Sequence, residues 1–169
     1  MSALEVKSKR IDILDANDPK CTFRINIDVL NEAFGLNRSL YMRASYPAGG
    51  PTGEDWIPGT NKEEKFFIWM PKLFSNSSEW GNSISADSTL IYEIAEPGKA
   101  DDYLFTAGDT EPAFYMKRLA FVKESQKAPY RFAGVFVADE YNFKRHIFKR
   151  IASRVRLIGN PVTSIEILD

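Results

Sequence analysis

The chain holds one cysteine, Cys21, and one histidine, His146. A lone cysteine excludes a disulfide framework within the chain. A lone histidine leaves zinc hydrolases and nucleases of the His-Asn-His type short of the groups they need, unless a partner supplies them. Cys21 and His146 could act as nucleophile and base only if the fold brought them together, and Cys21 stands in an alternating stretch where it reads as a small core residue. Long apolar runs are also missing. Nothing approaches the roughly 18 residues that signal a membrane-spanning helix, and the opening MSALEVKSKRIDIL carries charges where a signal peptide has its apolar centre. A cytoplasmic protein with no membrane partner is the expectation. Gly49, Gly50, Gly53 and Gly59 lack the lysine or helix context of a phosphate-binding loop, which argues against nucleotide hydrolysis. Excess charge is absent as well: the net charge is −1, so affinity for nucleic acid has to come from a local patch.

What the chain has in plenty is aromatic residues, 13% of the total with 12 Phe and 7 Tyr, a bias towards sheet. Its 169 residues suit one domain, 1–169, able to bury a core without metal or disulfide support. Lys9 to Leu14 and the alternating Cys21 to Ile27 flank the turn DANDPK, Asp15 to Lys20, and read as a hairpin. Asp28 is placed to cap a short helix from Val29 to Gly35. Pro47 to Asn61, the one Gly/Pro-rich tract, reads as a long loop carrying Trp56. Phe66 to Met70 is a continuous apolar run of strand length, stopped by Pro71, which has no N–H to give a neighbouring strand. Thr89 to Ile94 reads as a strand, and Ala95 to Thr110 as an acidic loop holding Glu96, Asp101, Asp102 and Asp109. Ala113 to Val122 and Tyr130 to Val137 should pair antiparallel across the turn Lys123 to Pro129, with Gly134 marking a bulge, a barrel corner or a close approach to backbone. Val162 to Leu168 alternates as a strand that closes or edges the sheet.

Two features point to a ligand. Ser75 to Ser85 is a polar tract with Trp80 in its middle, where no core periodicity asks for it; the ring either folds back as a plug over one end of a barrel or serves as a stacking platform. Tyr141 to Val155 carries Ile147, Phe148, Ile151, Ala152 and Val155 on one helical face and Lys144, Arg145, Lys149, Arg150 and Arg154 on the other, with no acidic residue from Tyr141 to Arg156. This reads as an amphipathic basic helix, either a solvated face or a phosphate-holding one. Trp56 and Trp80 on loops, Trp69 on a strand, Asn82, Ser83 and Asp87 beside one of them, and the basic helix together suit a site that stacks a nucleobase and reads its polar edge. Asp55, Glu63, Glu64 and Lys65 satisfy the bare acidic-x-Lys spacing of metal-dependent nucleases, but the charges precede the apolar strand and read as its solvated lead-in.

The order FFIWMPKLFSNSSEWGNSIS, then RLAFVKESQKAPYRFAGVFV from Arg118 to Val137, then FKRIA from Phe148 to Ala152, resembles the PUA-like barrels. It is similar to the PUA-like domains attached to helicases and nucleases in bacterial restriction and phage-defence systems, and more widely to the SRA, EVE and YTH modules. The resemblance covers the second half of the chain and leaves Met1 to Asn61 unaccounted for. It implies an aromatic pocket that accepts a flipped, modified base, with Trp69, Trp80, Asn82 and Ser83 at its approximate place, and a reader with no catalytic residue, metal or cofactor. The expected fold is α+β, mainly an antiparallel, curved β-sheet or PUA-like barrel with a few flanking helices. The expected partner is nucleic acid, DNA rather than RNA, with a nuclease or helicase beside it. A protein-interaction or inhibitory module docking on a basic partner, and a divalent-metal-dependent nuclease using Asp55, Glu63 and Lys65, are the competing expectations.

Overall fold

A strand buried on both faces reads as an unbroken apolar run rather than an alternating one, and the run around Trp69 is such a strand. In the computed structural model, which describes residues 11–41, 45–49, 65–74, 80–95, 117–141 and 145–169, Phe66 and Ile68 face one cluster of buried side chains while Trp69 faces another. The strands are β1 (Ile13–Asp15), β2 (Thr22–Phe23), β3 (Ser45–Gly49), β4 (Lys65–Trp69), β5 (Trp80–Ile84), β6 (Leu90–Ala95), β7 (Lys117–Lys123), β8 (Tyr130–Tyr141), β9 (Arg145–Ala152), β10 (Arg154–Gly159) and β11 (Val162–Ile167). An eight-stranded sheet runs in the order β3-β4-β7-β8-β9-β6-β5, with β2 paired to β8, and a three-stranded sheet runs β1-β10-β11. Every pairing is antiparallel except β4 with β7. The order does not close on itself, so of the two expected forms the curved, mainly antiparallel sheet is the one found, and a closed barrel is not.

The helical segment and the small sheet cover one face of the large sheet. Val29, Leu30, Ala33 and Phe34 pack with Phe66, Ile68, Leu119, Phe121, Phe132 and Val135, and with Leu14, Val155, Leu157 and Val162 from the small sheet. Phe34 stands edge-on to Phe121 at 5.9 Å, and Phe121 meets Phe132 at 5.3 Å. The helix begins at Asn26, three residues before the expected Val29: Asn26–Asp28 is α-helical, Val29–Ala33 continues as a π-helix, Ile25 is the cap residue, and Asp28 makes no capping bond. Gly35, at φ +70°, ends it as expected. Of the expected flanking helices, this is the one among the described residues.

Three other expectations are corrected. Lys9–Leu14 and Cys21–Ile27 do not form a hairpin: β1 pairs with β10 and β2 with β8, so the turn between them carries the chain from one sheet to the other. That turn is held by its aspartates, Asp15 Oδ1 accepting from Asn17 N at 2.9 Å and Asp18 Oδ1 from Lys20 N at 2.9 Å. The tract expected as a loop from Pro47 starts inside β3, whose proline is tolerated because, among the described strands, β3 pairs only with β4. The basic helix is not a helix. Tyr141 ends β8, and Arg145–Ala152 and Arg154–Gly159 are strands in different sheets. The buried residues of β9 are His146, Phe148 and Ala152, and those of β10 are Val155 and Leu157, so the period is two. A bulge at Ile151, which has no opposite number between Val135↔Ala152 and Phe136↔Arg150, put five apolar residues into helix-like spacing.

Gly134 is a bulge and a close approach at once. Its φ is +128°, Ala133 is extra against β7, and a Cβ there would lie 2.5 Å from Arg150 Cδ and 2.8 Å from Ala152 O. The pairing of β7 with β8 and the strand at Val162 stand as expected, β11 edging the small sheet.

Candidate nucleic-acid interface

The second face of the large sheet gathers a cation, aromatic rings and a part-buried polar pair. Trp69, Ile91, Ala120, Val122, Ala133, Phe136 and Phe148 form its buried floor. Because side chains alternate along a strand, Phe67 and Trp69 of β4 share this face with Arg118 of β7, whose register partner is Phe67. The Arg118 guanidinium carbon lies 4.5 Å from the centroid of Phe148, 5.2 Å from that of Phe67 and 5.3 Å from that of Trp69, a cation set against three rings. The His146 ring stands edge-on to Phe148 at 6.1 Å.

Beside this box a polar row crosses three strands. Asn82 of β5 is the register partner of Glu93 of β6, and Glu93 of His146 of β9, so the three side chains share the face. His146 is 3% exposed and is the one buried charged or polar residue among those described. Its Nδ1 lies 2.6 Å from Glu93 Oε1, donating to the carboxylate. Asn82 Nδ2 donates to Lys72 O at 3.2 Å, which ties β5 to the chain leaving β4 and turns Oδ1 the other way. That oxygen is buried and has no donor among the described residues. An unmet buried acceptor costs about 1–3 kcal/mol, a cost a ligand N–H or O–H would remove.

The expected site residues are spread over the fold. Trp69 and Asn82 belong to the face just described, but Trp69 is 2% exposed and covered by Phe148 and Arg118. Trp80, Asn82 and Ser83 lie in β5, a strand and not the reading loop expected; pairing with β6 holds the weak strand formers Gly81, Asn82 and Ser83 extended. Asp87 belongs to the β5–β6 turn, accepting from Ser85 Oγ at 2.7 Å, Thr89 Oγ1 at 2.6 Å and Thr89 N at 3.1 Å. These bonds, the Thr89 hydroxyl first, hold its carboxyl down to about 2. The basic residues are dispersed. Arg150 shares the face of Phe148 and reaches Ala133 O at 3.4 Å, Lys149 projects from the opposite face, and Arg154 pairs with Asp15 at 3.6 Å in the small sheet. Arg145 lies in β9, while Lys144, Trp56, Asp55 and Glu63 lie outside the described residues. Cys21 and His146 are not brought together: Cys21 is in the core under the helix, where burial pushes its thiol up, and His146 is on the other face. Among the described residues no three of His, Cys, Asp and Glu are grouped to hold a metal ion, and no helix is long and apolar enough to cross a membrane.

Sequence reasoning missed Glu93, Arg118 and the role of His146. The signal was there for Glu93: in TLIYEI it sits two residues after the buried Ile91, a charge on the inward phase of a strand.

The family model of the SET and RING associated domain, SRA, matches residues 7–157. The chain belongs to the SRA family. It is a DNA-binding module of the modified-base-reading, PUA-like kind, and the match begins at residue 7, well before the second half to which the sequence resemblance was confined. None of the curated proteins matches the chain. Among solved structures it is similar to the 5-hydroxymethylcytosine-specific restriction enzyme AbaSI, with a TM-score of 0.60 and 24% identity over 86% of this chain and 42% of that one. The chain therefore spans less than half the length of that structure, and the likeness is one of fold. The DNA modification-dependent restriction endonuclease AspBHI also matches, at a TM-score of 0.37 and 12% identity over 94% of this chain and 80% of that one.

Proposed function

We propose that the chain is the specificity module of a modification-dependent restriction system, and that it reads a modified base, flipped out of the duplex, on the face built by Asn82, Glu93, His146, Arg118, Trp69 and Phe148. The observation that carries this reading is the row Asn82, Glu93, His146 next to three rings and a guanidinium. A flipped base needs a flat apolar or cationic surface for its faces and hydrogen-bonding groups for its edge; with Trp69 and Phe148 buried beneath it, the Arg118 guanidinium is the surface in this reading, and Asn82 and Glu93 are the edge-reading groups. SRA membership supports DNA rather than RNA, and the 5-hydroxymethylcytosine specificity of AbaSI makes a cytosine bearing a group on C5 the first base to try. Scission, in this reading, belongs to a nuclease, alone or with a helicase, on another domain or chain.

The test is binding of the purified protein to short duplexes and single strands, unmodified or carrying 5-methylcytosine or 5-hydroxymethylcytosine, at two salt concentrations, since phosphate contacts alone bind all of them and weaken together with salt. Retention of one modified duplex at the higher salt supports the reading. Equal binding of modified and unmodified strands refutes it.

A further inference from the structure

We infer that His146 is a positioning residue that makes the face selective for a base edge presenting an exocyclic amino group; the inference rests on the base-reading function proposed above. Glu93 is at the rim, its side chain 21% exposed, while that of His146 is 4% exposed. A carboxylate on a strand that close to solvent samples several rotamers unless something holds it. The 2.6 Å bond from Nδ1 to Oε1 holds it, and it comes from a ring that Phe148 packs from the side and that lies in register on the next strand. Oε2 takes no part in that bond and is the acceptor assigned to the entering base. One strand over, Lys72 O fixes the Asn82 amide, so that Oδ1, buried and without a donor among the described residues, is held as a second unmet acceptor.

Two fixed acceptors favour an exocyclic amino group, whose two N–H bonds can meet both, over thymine, which offers them a carbonyl and at most the single N3–H. An edge with a carbonyl in the same place sets oxygen against oxygen. Such pairs discriminate between bases by roughly tenfold to a hundredfold, provided the acceptors cannot turn away. His146 prevents that for Glu93, as Lys72 O does for Asn82. The role is indirect, since the imidazole touches the carboxylate and not the base.

The probe is a pair of duplexes that differ at one position opposite guanine, 5-methylcytosine in one and thymine in the other. The two bases share the C5 methyl and differ in the amino or carbonyl group and in the protonation of N3. The native protein is expected to bind the first at least tenfold more tightly. His146→Leu, which keeps the bulk and loses the donor, is expected to bring the ratio close to one, and His146→Asn, whose amide can donate from near the Nδ1 position, to restore most of it. Glu93→Gln, at the more exposed partner, is expected to lose the ratio too, and it serves if His146→Leu does not fold. A folded His146→Leu protein with the native ratio overturns the inference, as does a native protein that selects modified over unmodified cytosine yet binds the thymine duplex equally well; in both cases the base-reading function stands. A native protein that binds none of these duplexes selectively overturns that function, and the inference with it.

Discussion

The rings of Trp69 and Phe148 lie 4.7 Å apart, centroid to centroid, tilted by 57°, although β7 and β8 separate their strands in the sheet. Three strand spacings are about 14 Å on a flat sheet, so the contact exists because the sheet curls and its second face is concave. Phe148 is fully buried in this contact, and Phe148→Ala is expected to cost about 3–5 kcal/mol. Urea unfolding followed by tryptophan fluorescence measures it, and a loss under 1 kcal/mol would mean that the rings do not hold the curvature.

The bulge at Gly134 makes a second prediction about shape. A Cβ there meets Arg150 Cδ and Ala152 O at distances no side chain tolerates, on a backbone at φ +128°. Gly134→Ala is expected to destabilise by about 2 kcal/mol or more and to displace Arg150 from the concave face. A stability equal to the native protein's in chemical denaturation would show that the bulge relaxes freely.

Asp87 gives a pH dependence whose sign follows from its bonds. Its folded pKa, about 2, lies below the usual carboxylate range because Thr89 and Ser85 donate to the ionised form. Its stabilising contribution is therefore complete above about pH 4, the unfolded value, and is lost as pH falls through about 2. Asp87→Asn should lower the melting temperature at neutral pH and converge with the native protein at the acid end. Parallel melting curves across that window would remove Asp87 as the turn's anchor.

The dispersal of the basic residues separates two substitutions that the sequence alone treats alike. Arg150 is on the concave face and Lys149 is on the other. Arg150→Gln is expected to weaken DNA binding and to reduce the slope of log K against log salt by about one, and Lys149→Gln to leave the slope unchanged. Equal effects would mean that DNA reaches both faces.

Much of the fold was legible from local chemistry. The run Phe66–Met70, the hairpin of β7 and β8 with its glycine, the turn at DANDPK and the final strand all follow from residues that act within a few positions of themselves. What failed depended on distant partners. Trp80 to Ile84 is extended only because β6 pairs with it, and the helix-like spacing from Ile147 to Val155 arises from a bulge and a change of sheet that no window of sequence records. The site divided the same way. Asn82 and Trp69 stood out by residue type, whereas Glu93, His146 and Arg118 acquire their meaning from register across strands far apart in the chain.

The most direct test of base reading on this face is a binding titration of the native protein and Asn82→Ala, each with matched duplexes that differ only in one 5-methylcytosine or 5-hydroxymethylcytosine. Asn82 is half-buried on the strand at the end of the sheet order, so the variant should fold. The expected result is a preference of the native protein for modified DNA of about tenfold or more that Asn82→Ala loses, while both bind unmodified DNA alike. A native protein without preference, or a variant that keeps it, would contradict the account.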